Sequence, residues 1–160
     1  MIAYRLFGGG VILLAGLCFY YIRENFQKKK LIQLASFINL LGYIKNQISY
    51  YLLPIDKILC NCDKKIIADC GLDVSSNTDT LKEMLDKCEF YLEDEIQKKL
   101  YSFARDFGMG YSNEQIKLCD QYISELKSIL DNFKLERLKD KKLSLAICIS
   151  ISLSLILVLL

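Results

Sequence analysis

Two long segments without charge, one at each end, constrain this chain more than any other feature. Residues 6–22 (LFGGGVILLAGLCFYYI) and 143–160 (LSLAICISISLSLILVLL) carry no charged side chain, although 25% of the chain is charged. As helices, these 17 and 18 residues would reach about 26 to 27 Å, slightly less than the roughly 30 Å hydrocarbon core of a bilayer. The pattern predicts transmembrane anchors at residues 1–22 and 143–160, with a domain at residues 23–142 between them.

A cleaved signal peptide is the alternative for the first segment, because Arg5 could form the basic start of such a peptide. A lipoprotein signal is a further alternative, since LLAGLC ends in Cys18, but Leu17 stands where a small residue is expected. Against cleavage, the family motif given below runs through this segment and past it. We therefore expect the anchor to be retained.

The charges that flank the two segments predict the orientation. Lys and Arg accumulate on the cytoplasmic side of a membrane. Arg5 is the only basic residue beyond the spans, whereas basic side chains follow the first span and precede the second: Arg23, Lys28, Lys29, Lys30, Lys134, Arg137, Lys139, Lys141 and Lys142. We expect both termini outside the cell and the domain in the cytoplasm.

Cysteine and charge counts argue against disulfides, zinc and nucleic acid. The seven cysteines are odd in number, and a cytoplasmic domain keeps its thiols reduced. Cys60 and Cys62 form a C-x-C pair without a second pair, and the chain has no histidine, so a metal site is not expected. Between residues 23 and 142, 20 basic side chains balance 19 acidic ones, which is no basic footprint for nucleic acid.

The central domain has the apolar spacing of helices. Apolar side chains recur every three or four positions from Lys28 to Leu52, which predicts a first helix continuous with the first span. Pro54 is predicted to end it and to begin a second helix that runs to about Cys70, where Gly71 would form a left-handed cap. The predicted buried face of the second helix is Ile58, Leu59, Cys62 and Ile66.

The second half of the domain predicts two more helices. Leu72 to Asn77 form a polar loop, and Thr78 or Asp79 can cap a third helix that bends or breaks near Glu93, Asp94 and Glu95. Gly108 and Gly110 supply a turn, and Ser112 with Gln115 predicts a capping box for the last helix. That helix runs into the second span with the stripe Ile116, Cys119, Ile123, Leu126, Leu130 and Phe133. The sequence predicts an all-α protein, an antiparallel helical bundle flanked by N- and C-terminal transmembrane helices.

Catalytic machinery is not expected. The acidic residues are scattered among lysines at helix-surface spacing, and histidine-based triads are excluded. Gly8, Gly9 and Gly10 lie within an apolar segment, with neither a following lysine nor a preceding strand, so they are no phosphate loop. We expect no enzymatic activity, no cofactor and no metal.

Two surfaces are candidates for contacts. Ala146, Ser150 and Ser154 recur every four residues in the second span, where small side chains would let another helix, from a partner or a second copy, approach closely. Small residues are also common in membrane helices without such a role. The charged faces near Glu93 to Glu95 and Lys98/Lys99 are candidate docking surfaces for a cytoplasmic partner, although solvated helix faces look the same.

These features carry a resemblance to a known family. GLCFYYIRENFQKKKLIQLASFINLLGYIKNQISYYLLPIDKIL resembles the opening of the stage III sporulation protein AB family, and FARDFGMGYSNEQIKLCDQYISELK resembles its phenylalanine-glycine turn and following helix. The chain departs from the family pattern at Asn46, Gln47 and the Ser112-Asn113 pair. The family is similar in turn to the cytoplasmic domains of type II secretion F proteins, which are platform subunits.

The resemblance implies a function. It implies a non-catalytic platform subunit of the channel complex between mother cell and forespore, in the mother-cell membrane, with a cytoplasmic secretion-type ATPase and channel-forming membrane proteins as partners. A membrane-anchored regulatory adaptor unrelated to sporulation is the alternative, but only a few residues at each end would lie outside to sense a signal. An enzyme with an intramembrane site is a third possibility, disfavoured because neither span holds an ionisable residue other than cysteine and tyrosine.

Overall fold

The computed structural model describes residues 2–51, 55–72, 80–108 and 111–159. Its regular elements in these ranges are all helices, as predicted. In chain order they are α1 (Ile2–Tyr51), α2 (Ile55–Cys60), α3 (Lys64–Cys70), α4 (Leu81–Asp86), α5 (Asp94–Asp106) and α6 (Ser112–Leu159). Some features of the sequence prediction lie outside the described residues. They are Pro54, the possible caps Thr78 and Asp79, Gly110, and all of the predicted polar loop except Leu72.

The chain divides into two compact units. One consists of residues 29–131, and the other of residues 1–28 and 132–160. We call them the central unit and the terminal unit. Helices α1 and α6 each contribute residues to both.

The core of the central unit is built on the face of α1 that the spacing predicts. Leu34, Ile38, Leu41, Ile44 and Ile48 are all buried, and this i, i+3, i+4 and i+7 pattern presents one continuous apolar stripe. Phe37 and Leu40 of α1 are buried beside this stripe. The other helices and their connections cover it with the apolar side chains of Ile58, Leu59, Cys62, Ile67, Cys70, Leu72, Leu81, Met84, Leu85, Leu92, Ile96, Leu100, Phe103, Cys119, Leu126 and Leu130.

The predicted second helix is interrupted in the structure. Helix α2 ends at Cys60, and α3 begins at Lys64 after Asp63, whose carboxylate accepts the backbone N–H of Lys65 at 2.8 Å. Aspartate is favoured at this capping position because it satisfies a donor that the helix leaves unpaired. The buried face also shifts, with Ile67 rather than Ile66 in the core. The end of α3 is as predicted, since Gly71 adopts the left-handed conformation with φ of 77°.

The third predicted helix is broken before its acidic run. Helix α4 ends at Asp86, residues 87–93 form a non-helical connecting segment, and Glu93 immediately precedes α5. Thr80 caps α4 through a reciprocal capping box, in which its hydroxyl accepts the N–H of Glu83 and its own N–H donates to the Glu83 carboxylate.

The last helix begins with Ser112, which the sequence predicts as its capping residue, and Tyr111 precedes it. Its first turn is closed by Tyr111, whose N–H donates to the Glu114 carboxylate at 3.2 Å and whose carbonyl accepts the N–H groups of Glu114 and Gln115. Only the Glu114 half of a capping box is present, and it caps Tyr111, one residue earlier than the predicted pair of Ser112 and Gln115. Gly108, in the preceding turn, has a φ of 92° as its predicted turn role requires. Of the predicted stripe, Cys119, Leu126 and Leu130 are buried, and Ile116, Ile123 and Phe133 are half-buried.

In the terminal unit, the first part of α1 meets the second part of α6. The Arg137 guanidinium donates to the Glu24 carboxylate, and Lys141, one turn further along α6, lies 3.9 Å from the same oxygen. In the part of the chain that the structure describes, no helix combines the length and the hydropathy needed to cross a membrane.

Candidate functional site

A buried glutamine of α1 organises the polar interior of the central unit. Gln33 is 2% exposed, and its amide nitrogen donates to the carbonyls of Cys70 and Glu89, both at 2.8 Å. Its side-chain oxygen accepts the backbone N–H of Tyr91, also at 2.8 Å. One side chain thus binds the end of α3 and both halves of the connecting segment to α1, and it supplies hydrogen-bond partners to three backbone groups.

Gly71 is required where the two bound segments approach each other. A Cβ atom at this position would lie 3.0 Å from the Glu89 carbonyl oxygen and 3.1 Å from the Gln33 amide nitrogen. The left-handed φ of this residue also disfavours any side chain. Glycine here permits both the end of α3 and the Gln33 hydrogen bonds.

Two lysines of α1 hold the outer edge of the connecting segment. The Lys30 ammonium pairs with the Glu93 carboxylate, and Lys30 itself is only 8% exposed. One residue earlier, Lys29 lies 4.8 Å from the centroid of the Tyr91 ring and donates to its hydroxyl. An ammonium over an aromatic face is attracted to the ring electrons, so the two lysines add charge-based contacts to the Gln33 hydrogen bonds.

Aromatic packing connects the same segment to α5. The Phe90 ring stacks on the Phe37 ring of α1, with 6.1 Å between the ring centroids. The centroid of the Tyr101 ring of α5 lies 6.2 Å from that of Phe90. The Tyr101 hydroxyl donates to the Leu85 carbonyl at 3.1 Å. Burial raises the pKa of Tyr101, with a further contribution from the Asp86 carboxylate. The ring is therefore fixed between α4, the connecting segment and α5.

Helix α5 carries lysines on two different sides. Lys99 donates to Glu125 of α6 at 2.8 Å, and this hydrogen bond raises the pKa of Lys99 and lowers that of Glu125. On the other side, Lys98, Ser102 and Arg105 follow one another at helical spacing, away from the buried Ile96, Leu100 and Phe103. The adjacent lysines of the predicted docking surface thus have different environments.

The second side of α5 borders an open surface pocket of about 570 Å³. Its lining consists of Lys82 from α4 and of Lys98, Tyr101, Ser102 and Arg105 from α5. We call it the basic pocket, because the described residues of its lining include three cationic side chains and no carboxylate. Asp86 and Asp106 stand at its border, where Asp86 faces the Tyr101 hydroxyl and Asp106 accepts from Arg105 Nε at 2.9 Å.

The buried cysteines are unsuited to nucleophilic chemistry. Burial raises the pKa of Cys88 and of Cys119 to about 11, and raises those of Cys62 and Cys70 as well. A thiol with a raised pKa is protonated at neutral pH, and the thiolate is the reactive form. Within the described ranges, no three cysteine or carboxylate side chains converge into a metal-binding group.

The predicted helix-contact residues lie on α6 in the terminal unit. Ala146, Ser150 and Ser154 are all exposed, so their surface is accessible to another helix. Their role in a helix contact stays a prediction.

The sequence analysis missed Gln33, the residue that organises the polar interior. A signal for it is present in the sequence. Gln33 lies one helical turn after Lys30 and one before Phe37, on the apolar stripe of α1, where a polar residue needs partners. What the sequence could not supply is the identity of those partners, which lie 37 to 58 residues away.

Comparison with models of protein families gives one finding for the chain. The model described as stage III sporulation protein AB matches residues 5–160. Comparisons with curated proteins and with solved structures give no match.

Proposed function

The chain belongs to the stage III sporulation protein AB family, which supports a role in sporulation, and from this premise we propose that it is a platform subunit. In this proposal it sits in the mother-cell membrane around the forespore. It holds a cytoplasmic secretion-type ATPase next to the membrane proteins that form the channel. The chain itself performs no catalysis, and the energy comes from the ATPase.

The observation that carries the proposal is the exposure of apolar side chains in the terminal unit. Large apolar side chains of α1 and α6 in this unit have 42% to 70% of their surface exposed. They are Val11, Leu14, Leu17, Phe19, Tyr21, Ile22, Phe26, Leu135, Leu138, Leu143, Leu145, Ile147, Ile149 and Ile151. Exposed apolar surface on this scale marks contact with a membrane or another protein. We infer that lipid covers the parts within residues 6–22 and 143–160, which contain no charge.

The surface of the central unit differs from that of the terminal unit and supports the docking part of the proposal. Most of the described apolar side chains of the central unit form a buried core, whereas most of its described lysines and carboxylates other than Lys30 lie at the surface. A rigid charged domain next to a membrane suits reversible binding of a soluble partner, because charge complementarity guides association.

The experiment is to tag the chain at its native locus and to follow when and where it appears. We expect it only in sporulating cells, concentrated in the membrane around the forespore, and we expect loss of heat-resistant spores when the gene is deleted. The tagged copy must restore spore formation, which is the control for the tag. Even distribution in growing cells, with normal sporulation after deletion, would contradict the proposal and favour the regulatory adaptor.

A further inference from the structure

We propose that the basic pocket between α4 and α5 is where an acidic segment of the cytoplasmic partner binds. This deepens the proposed function, on which it rests, by assigning the docking face and the chemistry that it recognises. The partner would insert aspartate or glutamate side chains between Lys82, Lys98 and Arg105.

The first argument is that two of the three cations of this pocket form no ion pair among the described residues. Lys99 has Glu125 and Lys45 has Asp120 as ion-pair partners inside the central unit. In the part of the chain that the structure describes, no such pair involves Lys82 or Lys98. Both are exposed, so binding a carboxylate requires no internal contact to break.

Arg105 adds donors in a fixed geometry. Its Nε donates to Asp106, which holds the side chain in place beside the pocket. The guanidinium has further N–H donors on its two terminal nitrogens, and these match the two oxygens of a carboxylate. Among the described residues, the three cations of the pocket exceed the two carboxylates at its border, Asp86 and Asp106, by one positive charge.

The shape of the pocket favours a protein segment. A small-molecule site usually encloses most of the ligand surface, whereas this pocket is open to solvent along the side of two helices.

Phosphate sites commonly use the N–H groups of a helix N-terminus, but the first turn of α5 carries Asp94 and Glu95, and Glu93 precedes it. These carboxylates make the N-terminus of α5 unsuited to an anion, so the side chains of Lys82, Lys98 and Arg105 are the groups of this pocket that attract one. Tyr101 and Ser102 supply a fixed ring and a hydroxyl for contacts with a peptide backbone.

The floor of the pocket is preorganised. Tyr101 is held by its hydrogen bond to the Leu85 carbonyl and by its contact with the Phe90 ring, which stacks on Phe37 of α1. A floor that does not rearrange on binding lowers the entropic cost of association. This links the Gln33 hydrogen bonds, which fix the connecting segment, to the geometry of the pocket.

The test uses the full chain in lipid nanodiscs and the purified secretion-type ATPase proposed as its partner. The double charge reversal Lys98→Glu with Arg105→Glu is expected to weaken binding about tenfold or more, since two attractive contacts become repulsive. Lys117→Glu with Lys127→Glu makes the same change in net charge at exposed positions of α6 outside the pocket. This matched control is expected to change binding less than about threefold. Equal losses in the two variants would overturn the pocket assignment.

A photo-cross-linker at Ser102 identifies what occupies the pocket. We expect cross-links to an acidic segment of the ATPase, and reversal of an acidic residue there to lysine should restore binding to the charge-reversed variant. Cross-links to lipid alone, or none, would overturn the inference. If the ATPase binds the wild-type chain but not through this pocket, the platform proposal stands and the pocket assignment fails. If Ser102 cross-links to an acidic segment of another protein, with the same rescue, the pocket stands and the ATPase is the wrong partner.

Discussion

Gln33 is the residue on which the non-helical parts of the central unit depend. A side chain that satisfies two carbonyls and one N–H at once is hard to replace, because leucine fills the same space but makes none of the three hydrogen bonds. Each buried polar group left without a partner costs about 1 to 3 kcal/mol.

We therefore expect Gln33→Leu to lower the free energy of unfolding by about 2 to 4 kcal/mol. The measurement is urea unfolding of the full chain in detergent micelles, followed by the helical circular dichroism signal. Gln121→Leu is the matched control, because Gln121 is exposed on α6 and its amide donates to the nearby Glu125 carboxylate. A control variant as destabilised as Gln33→Leu would contradict the assigned role.

Gly71 and Gly42 provide a second, paired prediction. Gly71→Ala places a Cβ atom 3.0 Å from the Glu89 carbonyl oxygen in a left-handed conformation, and we expect a loss of about 1 to 3 kcal/mol in stability. A Cβ atom at Gly42, inside α1, meets nothing within 4 Å. Gly42→Ala should therefore raise stability by about 0.5 to 1 kcal/mol, because alanine favours a helix. The same urea titration measures both changes, and a common sign for the two would refute this account.

At the scale of the elements, ion pairs connect α1 and α6 within each unit. Lys45 pairs with Asp120 in the central unit, and Glu24 pairs with Arg137 in the terminal unit. The Glu24 side chain is 15% exposed, so its pair is better shielded from water than most surface pairs.

The Glu24 pair predicts a dependence on pH. The hydrogen bond from Arg137 lowers the pKa of Glu24 below its ordinary value of 4.5. An acid with a lowered folded-state pKa contributes stability that is complete above the ordinary value and is lost as the pH falls through the lowered one. We expect the thermal midpoint of the full chain in micelles to fall below pH about 4.5, and Glu24→Gln to reduce that fall.

Glu136→Gln is the control for this measurement, because Glu136 is an exposed carboxylate of α6 in the same unit. It should leave the acid limb of the profile close to that of the parent chain. Identical profiles for Glu24→Gln and the parent chain would show that the pair contributes no stability.

The whole molecule is proposed to have both ends outside the cell and the central unit in the cytoplasm. Asn113→Cys introduces an exposed thiol in that unit. We expect it to react with a membrane-impermeant maleimide only after the membrane is opened, whereas a cysteine at Ala3 should react in intact cells. The raised pKa values of Cys62, Cys70, Cys88 and Cys119 keep the reaction of these four native thiols low, and the parent chain labelled in parallel gives the background of the others. Strong labelling of Asn113→Cys in intact cells would reverse the proposed orientation.

The sequence by itself determined the helical class, the apolar stripe of α1 and the left-handed end of α3 at Gly71, and it indicated a bend or a break before α5. These are local properties, because the spacing of apolar residues and the preference of glycine act within a few positions along the chain. The sequence also carried the family resemblance, which the match over residues 5–160 confirms.

Only the tertiary structure decided which distant groups meet. Gln33 could be recognised as a polar residue on an apolar face, but its partners at Cys70, Glu89 and Tyr91 depend on how the segments pack. Lys98 and Lys99 are neighbours in sequence, yet helical geometry turns one towards the basic pocket and the other towards Glu125. Spacing predicts that a side chain is on a helix surface, whereas the neighbouring helices decide whether its charge is paired inside the protein or remains available to a partner.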